Sequence, residues 1–501
     1  MSETTSSRPV GGMSAIAARG SAFNSAQWFA NKLATAAAMF LVARVVSPEQ
    51  YGLASQSLAI YQFVVFLAPL TLGDVLIARP RHFARLEPSA RRLAWRIGVS
   101  MSLAVVVVIP IAVTAYSQYP RAWLAGLLAT LALRPLFEAS IVAPLAKLRT
   151  ALQFRQIAFV EGIVQFGATC LMLVSASLGA GAAALVAPQI AAVAVRSRVY
   201  SASSLVSVTG RVSAMRERLL FMAFMPAALA QYAHNILVML DIMILGYVTS
   251  SGETGLFGLA FTLAAQANTI ISYQLGQVLQ PIFGHMQDEP RRQVTGFIRV
   301  QRVLAAVCVP IAVAQAVVAE PLFRLVFPAD WQGAVVPFQI LSLAQAAYFA
   351  TGPTMSCLRA QHRFKFLFWW QATQLVLSVP LYAAGAHTFG SAGVAAASGV
   401  AWLVSMSVGI LTVIRGVEPQ PFLTAVGVLA RPWIVCLPGL FLGGLVIRTL
   451  AQFGNVGDVI SVLFAAPLIL FSMLVSMRYF NKDVDQLFGV MTQSVRRRVG
   501  F

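Results

Sequence analysis

Five groups of polar side chains in this chain stand inside or beside long apolar runs, where hydrocarbon would penalise them. Lys32, in "AQWFANKLATAAAMF", lies about twelve residues from either end of its run, roughly 18 Å at the helical rise, too deep to snorkel comfortably. Arg134 and Glu138, in "LALRPLFEAS", are four apart, the spacing that brings opposite charges together on one helical face. Asp241, in "NILVMLDIMILGYV", follows His234 by two turns on the same side of a helix. Gln266, Asn268, Gln274, Gln277 and Gln280 crowd the run "AAQANTIISYQLGQVLQPIF". Finally, Arg79, Arg81 and Arg85 open the basic segment "ARPRHFARLEPSARRLAWR", where Arg alternates with Phe83, Leu86, Leu93 and Trp95.

A charge near the bilayer centre costs roughly 3 kcal/mol or more, so such residues pair, face a wet cavity or serve a function. Lys32 either points into a lumen or neutralises an acid on another helix. Arg134 and Glu138 either line a cavity, opening around an anionic substrate, or neutralise each other. Asp241 offers a site for Na⁺ or a proton, with His234 beside it, or else balances a cavity cation. The amides suit sugar hydroxyls, and equally suit helix-to-helix hydrogen bonds. The Arg79–Arg85 segment reads as an interfacial helix on an anionic leaflet, gathering phosphate head groups, or simply as a topological signal.

The elements that must hold these groups are membrane spans. Of 501 residues, 58% are hydrophobic and 11% charged, too apolar for a water-facing surface, and runs of about 20 apolar residues recur from end to end. Apolar runs predict helices near 21–45, 52–78, 97–116, 122–144, 157–178 and 181–200, then 219–248, 255–282, 300–319, 333–356, 367–386 and 391–413, with two more at 422–447 and 456–477. The expected fold is therefore an all-α polytopic membrane protein with about fourteen transmembrane helices. Positive charge alternates between loops as this count requires. Basic residues gather after the second helix, then at Lys147, Arg149 and Arg155, at Arg196, Arg198, Arg211, Arg216 and Arg218, at Arg291, Arg292 and Arg299, and at Arg359, Arg363 and Lys365. The intervening loops hold one basic residue or none, so both termini are expected in the cytoplasm. The net charge of +19 is thus spread over short loops, which points to anionic membrane lipids and away from nucleic acid.

Two loops repeat. "SPEQYGL" and "SSGETGL" place Gly52 and Gly255 203 positions apart, and "LRTALQFR" from Leu148 is echoed 210 positions later by "LRAQHRFK" from Leu358. A duplication of six helices relates two lobes by an axis along the membrane normal, an architecture suited to alternating access. The organisation expected is a cytoplasmic tail at 1–20, an N-lobe at 21–202, a basic linker at 203–218, a C-lobe at 219–413, an extra helix pair at 422–477 and a basic tail at 478–501. The first of these segments lacks the apolar core of a cleaved signal. Pro48 and Gly52, like Gly252 and Gly255, are expected to break their helices and reverse the chain on the outer side.

Cys170, Cys308, Cys357 and Cys436 are widely spaced and form no metal-binding pattern, so neither disulfide nor metal is expected. With no phosphate loop and no catalytic cluster the chain does not read as an enzyme. No cofactor is expected beyond a coupling Na⁺ or proton.

The stretch "FLVARVVSPEQYGLASQSLAIYQFVVFLAPLTLGDVLIAR" resembles the first helical hairpin of Wzx-type polysaccharide flippases of the MOP superfamily, apart from the swapped Gly and Asp of "LGDVL". "DIMILGYVTSSGETGLFGLAFTL" is similar to that family's seventh helix and turn, with Phe257 where Tyr is common, and "FPADWQGAVVPFQILSL" and "LRAQHRFKF" are similar to its tenth helix and following loop. The resemblance implies a bacterial inner-membrane protein that translocates an undecaprenyl-pyrophosphate-linked oligosaccharide, with a polysaccharide polymerase and glycosyltransferases as partners. Lys32 and Arg134 would receive phosphates or acidic sugars, and Asp241 would couple or balance charge. Competing readings are an ion-coupled multidrug exporter of the same superfamily, a non-transporting scaffold for polysaccharide enzymes, and a flippase for the peptidoglycan precursor.

Overall fold

In a computed structural model of the chain, the described residues run from 34 to 470, apart from 36, 78–81, 152, 204–211, 287, 350, 362, 416, 418–420, 466 and 468–469. They are helical almost throughout, with no strand among the described residues. After a helical segment ending at 42 come α1 (Pro48–Val64), α2 (Thr71–Ile77), α3 (Phe83–Ala115), α4 (Arg121–Leu131), α5 (Arg134–Thr150), α6 (Phe154–Ser177), α7 (Ala183–Ser203) and α8 (Ala214–Val248). Then follow α9 (Ser251–His285), α10 (Pro290–Val326), a 3₁₀ turn (Ala329–Ala334), α11 (Val335–Phe349), α12 (Thr351–Ala360), α13 (Phe364–Ile414), α14 (Pro421–Ala451) and α15 (Gly454–Ile460). The protein is an all-α multi-pass membrane protein: eight stretches among the described residues are long and apolar enough to cross a bilayer.

Several expected boundaries move, each for a local reason. The predicted helix at 52–78 is two, α1 and α2, parted at 65–70 by a segment containing Pro69, which lacks the N–H a continuing helix needs. The predicted helix at 122–144 is likewise split after Leu131, and α5 restarts at Arg134 with Pro135 in its first turn. Residues 83–96, expected as a loop or interfacial helix, instead form the first turns of the 33-residue α3 and continue into its apolar half. The helices expected at 367–386 and 391–413 are both present within α13, parted by a break at Phe389 and Gly390, where Gly390 has φ +57°. Glycine adopts that left-handed backbone without a Cβ penalty.

The echoed turns are helix starts. Ser47 Oγ accepts the backbone N–H of Gln50 at 3.4 Å, while Gln50 Oε1 accepts that of Ser47 at 3.3 Å, a reciprocal capping box with Pro48 at the first helical position. In the second copy Ser250 Oγ accepts the Glu253 N–H at 3.3 Å. Here the glutamate reaches away from its own cap, and Oε2 accepts the N–H of Ser391 at 2.9 Å, next to the Gly390 bend.

Gly52 and Gly255 therefore do not break helices; both lie inside them, in α1 and α9. A Cβ on Gly52 would run into the carbonyl oxygen of Ser251, and one on Gly255 into that of Pro48. The contact is reciprocal, since each glycine meets the residue four positions before its counterpart. Small residues at matched positions let two helix backbones touch, the usual device for packing helices in lipid. Beside this crossing Tyr51 meets Trp331 edge to face at 5.7 Å and hydrogen-bonds Thr262 at 3.3 Å. A Cβ on Gly333 would press on Leu256. The motif residues of "SPEQYGL", "SGETGL" and "FPADWQG" thus converge on one packed cluster.

The chain divides into two compact units, one of Met1–Val46 with Ser57–Ile236 and the other of Ser47–Gln56 with Leu237–Phe501. The glycine crossing belongs wholly to the second. In the first, α3 lies close enough to α5 that a Cβ on Gly98 would come within 2.8 Å of the Pro135 carbonyl oxygen.

Candidate functional site

Each unit buries a charged group that the sequence singled out, and the two differ in kind. In the first, the split between α4 and α5 places Arg134 at the start of α5, with Glu138 one turn on. Arg134 Nε donates to Glu138 Oε1 at 2.8 Å, the length of a charge-assisted hydrogen bond. The Arg134 guanidinium lies 5.6 Å from the ring centroid of Tyr61 on α1, within cation–π reach. Glu138 and Tyr61 are buried, while 30% of the Arg134 side chain is exposed. The expected pairing holds, and Tyr61 joins it.

In the second unit Asp241, on α8, is 1% exposed. Its Oδ1 accepts the N–H of Ile242 at 2.8 Å and its Oδ2 accepts the Ser398 hydroxyl at 3.5 Å. Tyr382, itself hydrogen-bonded with Ser378 and Ser398, lies in the field of the carboxylate, as does Tyr348, whose ring packs 5.1 Å from Trp402. Among the described residues no lysine or arginine forms an ion pair with Asp241. A carboxylate bonded to a serine hydroxyl of α13, with the phenols of Tyr348 on α11 and Tyr382 on α13 nearby, has the hard-oxygen chemistry that suits an alkali cation or a proton. Ser378, Tyr382 and Ser398 went unremarked in the sequence, because serine and tyrosine in apolar runs carry no spacing signal.

The remaining candidates fall variously. Lys32, Arg79 and Arg81 lie outside the described residues. His234, Asn268 and Gln274 sit on helical backbone in α8 and α9, their side chains outside the described part. Gln266 is half-buried, and its Oε1 has no hydrogen-bond partner among the described residues. Arg85 is exposed, and its carbonyl accepts Arg216 Nη1 at 3.2 Å. Glu217, in the first turn of α8, is a second buried acid that the sequence did not single out; Arg96 donates to it at 2.6 Å and Arg92 approaches to 3.6 Å. Ser89 on α3 also accepts the N–H of Ser213, so four contacts tie the start of α8 to α3.

The sequence profile of the family described as "Polysaccharide biosynthesis protein" matches residues 41–336. The succinoglycan biosynthesis transport protein ExoT of Rhizobium meliloti (strain 1021) is 22% identical over 419 residues, covering 82% of each chain. The lipopolysaccharide biosynthesis protein WzxC of Escherichia coli (strain K12) is 22% identical over 424 residues, covering 80% of this chain and 82% of its own. Among solved structures, the lipid II flippase MurJ in an inward closed conformation superposes with a TM-score of 0.71 at 12% identity, over 92% of this chain and 99% of its own. An inward-facing multidrug resistance MATE family transporter of the MOP superfamily gives 0.61 at 11% identity, over 76% and 93%. At such identities the structural likeness establishes the fold.

Proposed function

We propose, from the premise that this chain belongs to the polysaccharide biosynthesis protein family, that it is a flippase. Its cargo is an undecaprenyl-pyrophosphate-linked oligosaccharide repeat unit, carried from the cytoplasmic to the outer leaflet of a bacterial inner membrane for exopolysaccharide or O-antigen synthesis. The observation that carries the reading is the match, over 82% and 80% of the chain, to two relatives named for succinoglycan and lipopolysaccharide biosynthesis, one of them a transport protein. The buried charges supply the means. Two lobes, 21–202 and 219–413, joined by a basic linker and followed by a further helix pair, alternate their access, with both termini in the cytoplasm. Lys32, Arg134, Glu138, Gln266, Asn268 and Gln274 receive the phosphates and sugars, while the prenyl tail stays in lipid. Asp241, with His234 on the same helix, takes Na⁺ or a proton and links its binding to the conformational change.

In a strain depleted of this protein, lipid-linked oligosaccharide should accumulate on the cytoplasmic leaflet. Unimpaired delivery to the outer leaflet would refute the reading. The likeness to a multidrug transporter keeps drug export as the second reading, and raised drug tolerance in cells overproducing the protein, with oligosaccharide delivery intact, would favour it.

A further inference from the structure

We propose that Arg149 and Arg196 form a binding site for the phosphate of a membrane lipid, at the end of the first unit where α5 finishes and α7 carries its basic residues. Arg149 is in the last turn of α5, where a cation also complements the helix dipole. Arg196 stands one turn before the fully buried Tyr200 on α7. Their guanidinium groups come from different helices that pack together: Val193 and Tyr200 of α7 share a core cluster with Ile141 and Leu148 of α5, and Leu148 directly precedes Arg149.

Arg149 and Arg196 use less of their hydrogen-bonding capacity than the tightly paired Arg134 and Arg96 of the same unit. Arg134 and Arg96 make charge-assisted bonds of 2.8 and 2.6 Å to buried glutamates. Arg149, by contrast, stands 3.6 Å from Asp74, whose side chain is 68% exposed, and Arg196 stands 3.4 Å from Glu161, which is 37% exposed. Those separations exceed the 2.7–2.9 Å of a good N⁺–H···O⁻ bond, and exposed pairs contribute little. The Nε of Arg196 is buried and has no hydrogen-bond partner among the described residues. Glu161 also accepts the Tyr200 hydroxyl at 3.1 Å, which fixes the carboxylate that steers Arg196. Two guanidinium forks with loosely held, replaceable acids are the chemistry of bidentate phosphate recognition. Both arginines belong to the basic clusters at Lys147–Arg155 and Arg196–Arg218, which the alternation of charge along the sequence places at the cytoplasmic boundary, the depth of lipid phosphates.

The phosphate could belong to a prenyl pyrophosphate carrier or to an anionic phospholipid, and the site requires only what they share, so it stands apart from the flippase reading. The test titrates the full-length protein in neutral detergent with undecaprenyl pyrophosphate, with phosphatidylglycerol and with diacylglycerol, counting retained lipid by native mass spectrometry. The parent should retain at least one phosphate lipid in preference to diacylglycerol. Arg149→Gln and Arg196→Gln should each lower that affinity about tenfold, the effect of removing one charge-assisted hydrogen bond. Asp74→Asn and Glu161→Gln, which remove competing charges and keep both arginines, should tighten it. Retention of the pyrophosphate alone assigns the site to the carrier, and retention of phosphatidylglycerol alone to a resident phospholipid. Equal binding of diacylglycerol, or parent-like affinity in both arginine variants, overturns the proposal. If an arginine variant does not fold, loosened binding in Glu161→Gln and Asp74→Asn overturns it too.

Discussion

The charged centre of the first unit is complete, and that of the second is not. Arg134, Glu138 and Tyr61 form a neutral cluster in which the guanidinium has both a carboxylate at 2.8 Å and an aromatic face at 5.6 Å. Asp241 is the most deeply buried acid among the described residues, yet meets only hydroxyls and a backbone N–H. Breaking a buried ion pair leaves an uncompensated charge, whereas neutralising a lone buried carboxylate relieves a desolvation cost. The first centre thus has the energetics of a paired charge, and the second those of a lone buried acid, the condition that the coupling proposed for Asp241 needs.

The sharpest way to break the comparison is Asp241→Asn. It should abolish oligosaccharide delivery in complemented cells while the thermal midpoint of the purified protein holds or rises. A falling midpoint with delivery intact would make Asp241 structural. Glu138→Gln should do the opposite to stability, costing about 2–3 kcal/mol in thermal or denaturant unfolding, below the full penalty for a buried pair because Arg134 is partly exposed. Replacing Arg134 and Glu138 together by apolar residues should cost less than that, and an additive loss would show that the two do not act as a pair. A finer test is Tyr61→Leu, with a loss of about 1 kcal/mol from the cation–π contact, while Tyr61→Phe should stay within about 0.5 kcal/mol of the parent. If Phe is as harmful as Leu, the hydroxyl and not the ring face is what Arg134 uses. Ser398→Ala should also change folding little, within about 1 kcal/mol of the parent since its bond to Asp241 is long. Any change it makes to Na⁺ or proton dependence of delivery would place Ser398 in the cation's coordination.

Much of this was legible in advance. The four-residue spacing of Arg134 and Glu138 announced their bond, because a helix puts those positions on one face whatever surrounds it. The capping boxes were legible too: "SPEQ" and "SSGE" both follow the S-x-x-E/Q pattern, though they read at first as helix breakers. The split of the helix at Pro135 was equally available, since proline sits well in a first turn and poorly in an interior. Other features had no local sign. Nothing near Gly52 says that its neighbour is Ser251, and nothing near Glu253 says that its carboxylate serves the bend at Gly390.

The amino-acid order alone determined a polytopic helical membrane protein, its alternating basic loops, its internal echo and the identities of its costly polar groups. These follow from hydropathy, charge and periodicity, which act within a helix or across a short loop. Only the tertiary structure decided that the echoed glycines form one reciprocal crossing, that Tyr61 completes the arginine pair, and that Asp241 meets the Ser398 hydroxyl with no lysine or arginine paired to it among the described residues. Those contacts join residues far apart in the chain, and backbone packing, not spacing, selects which side chains meet there.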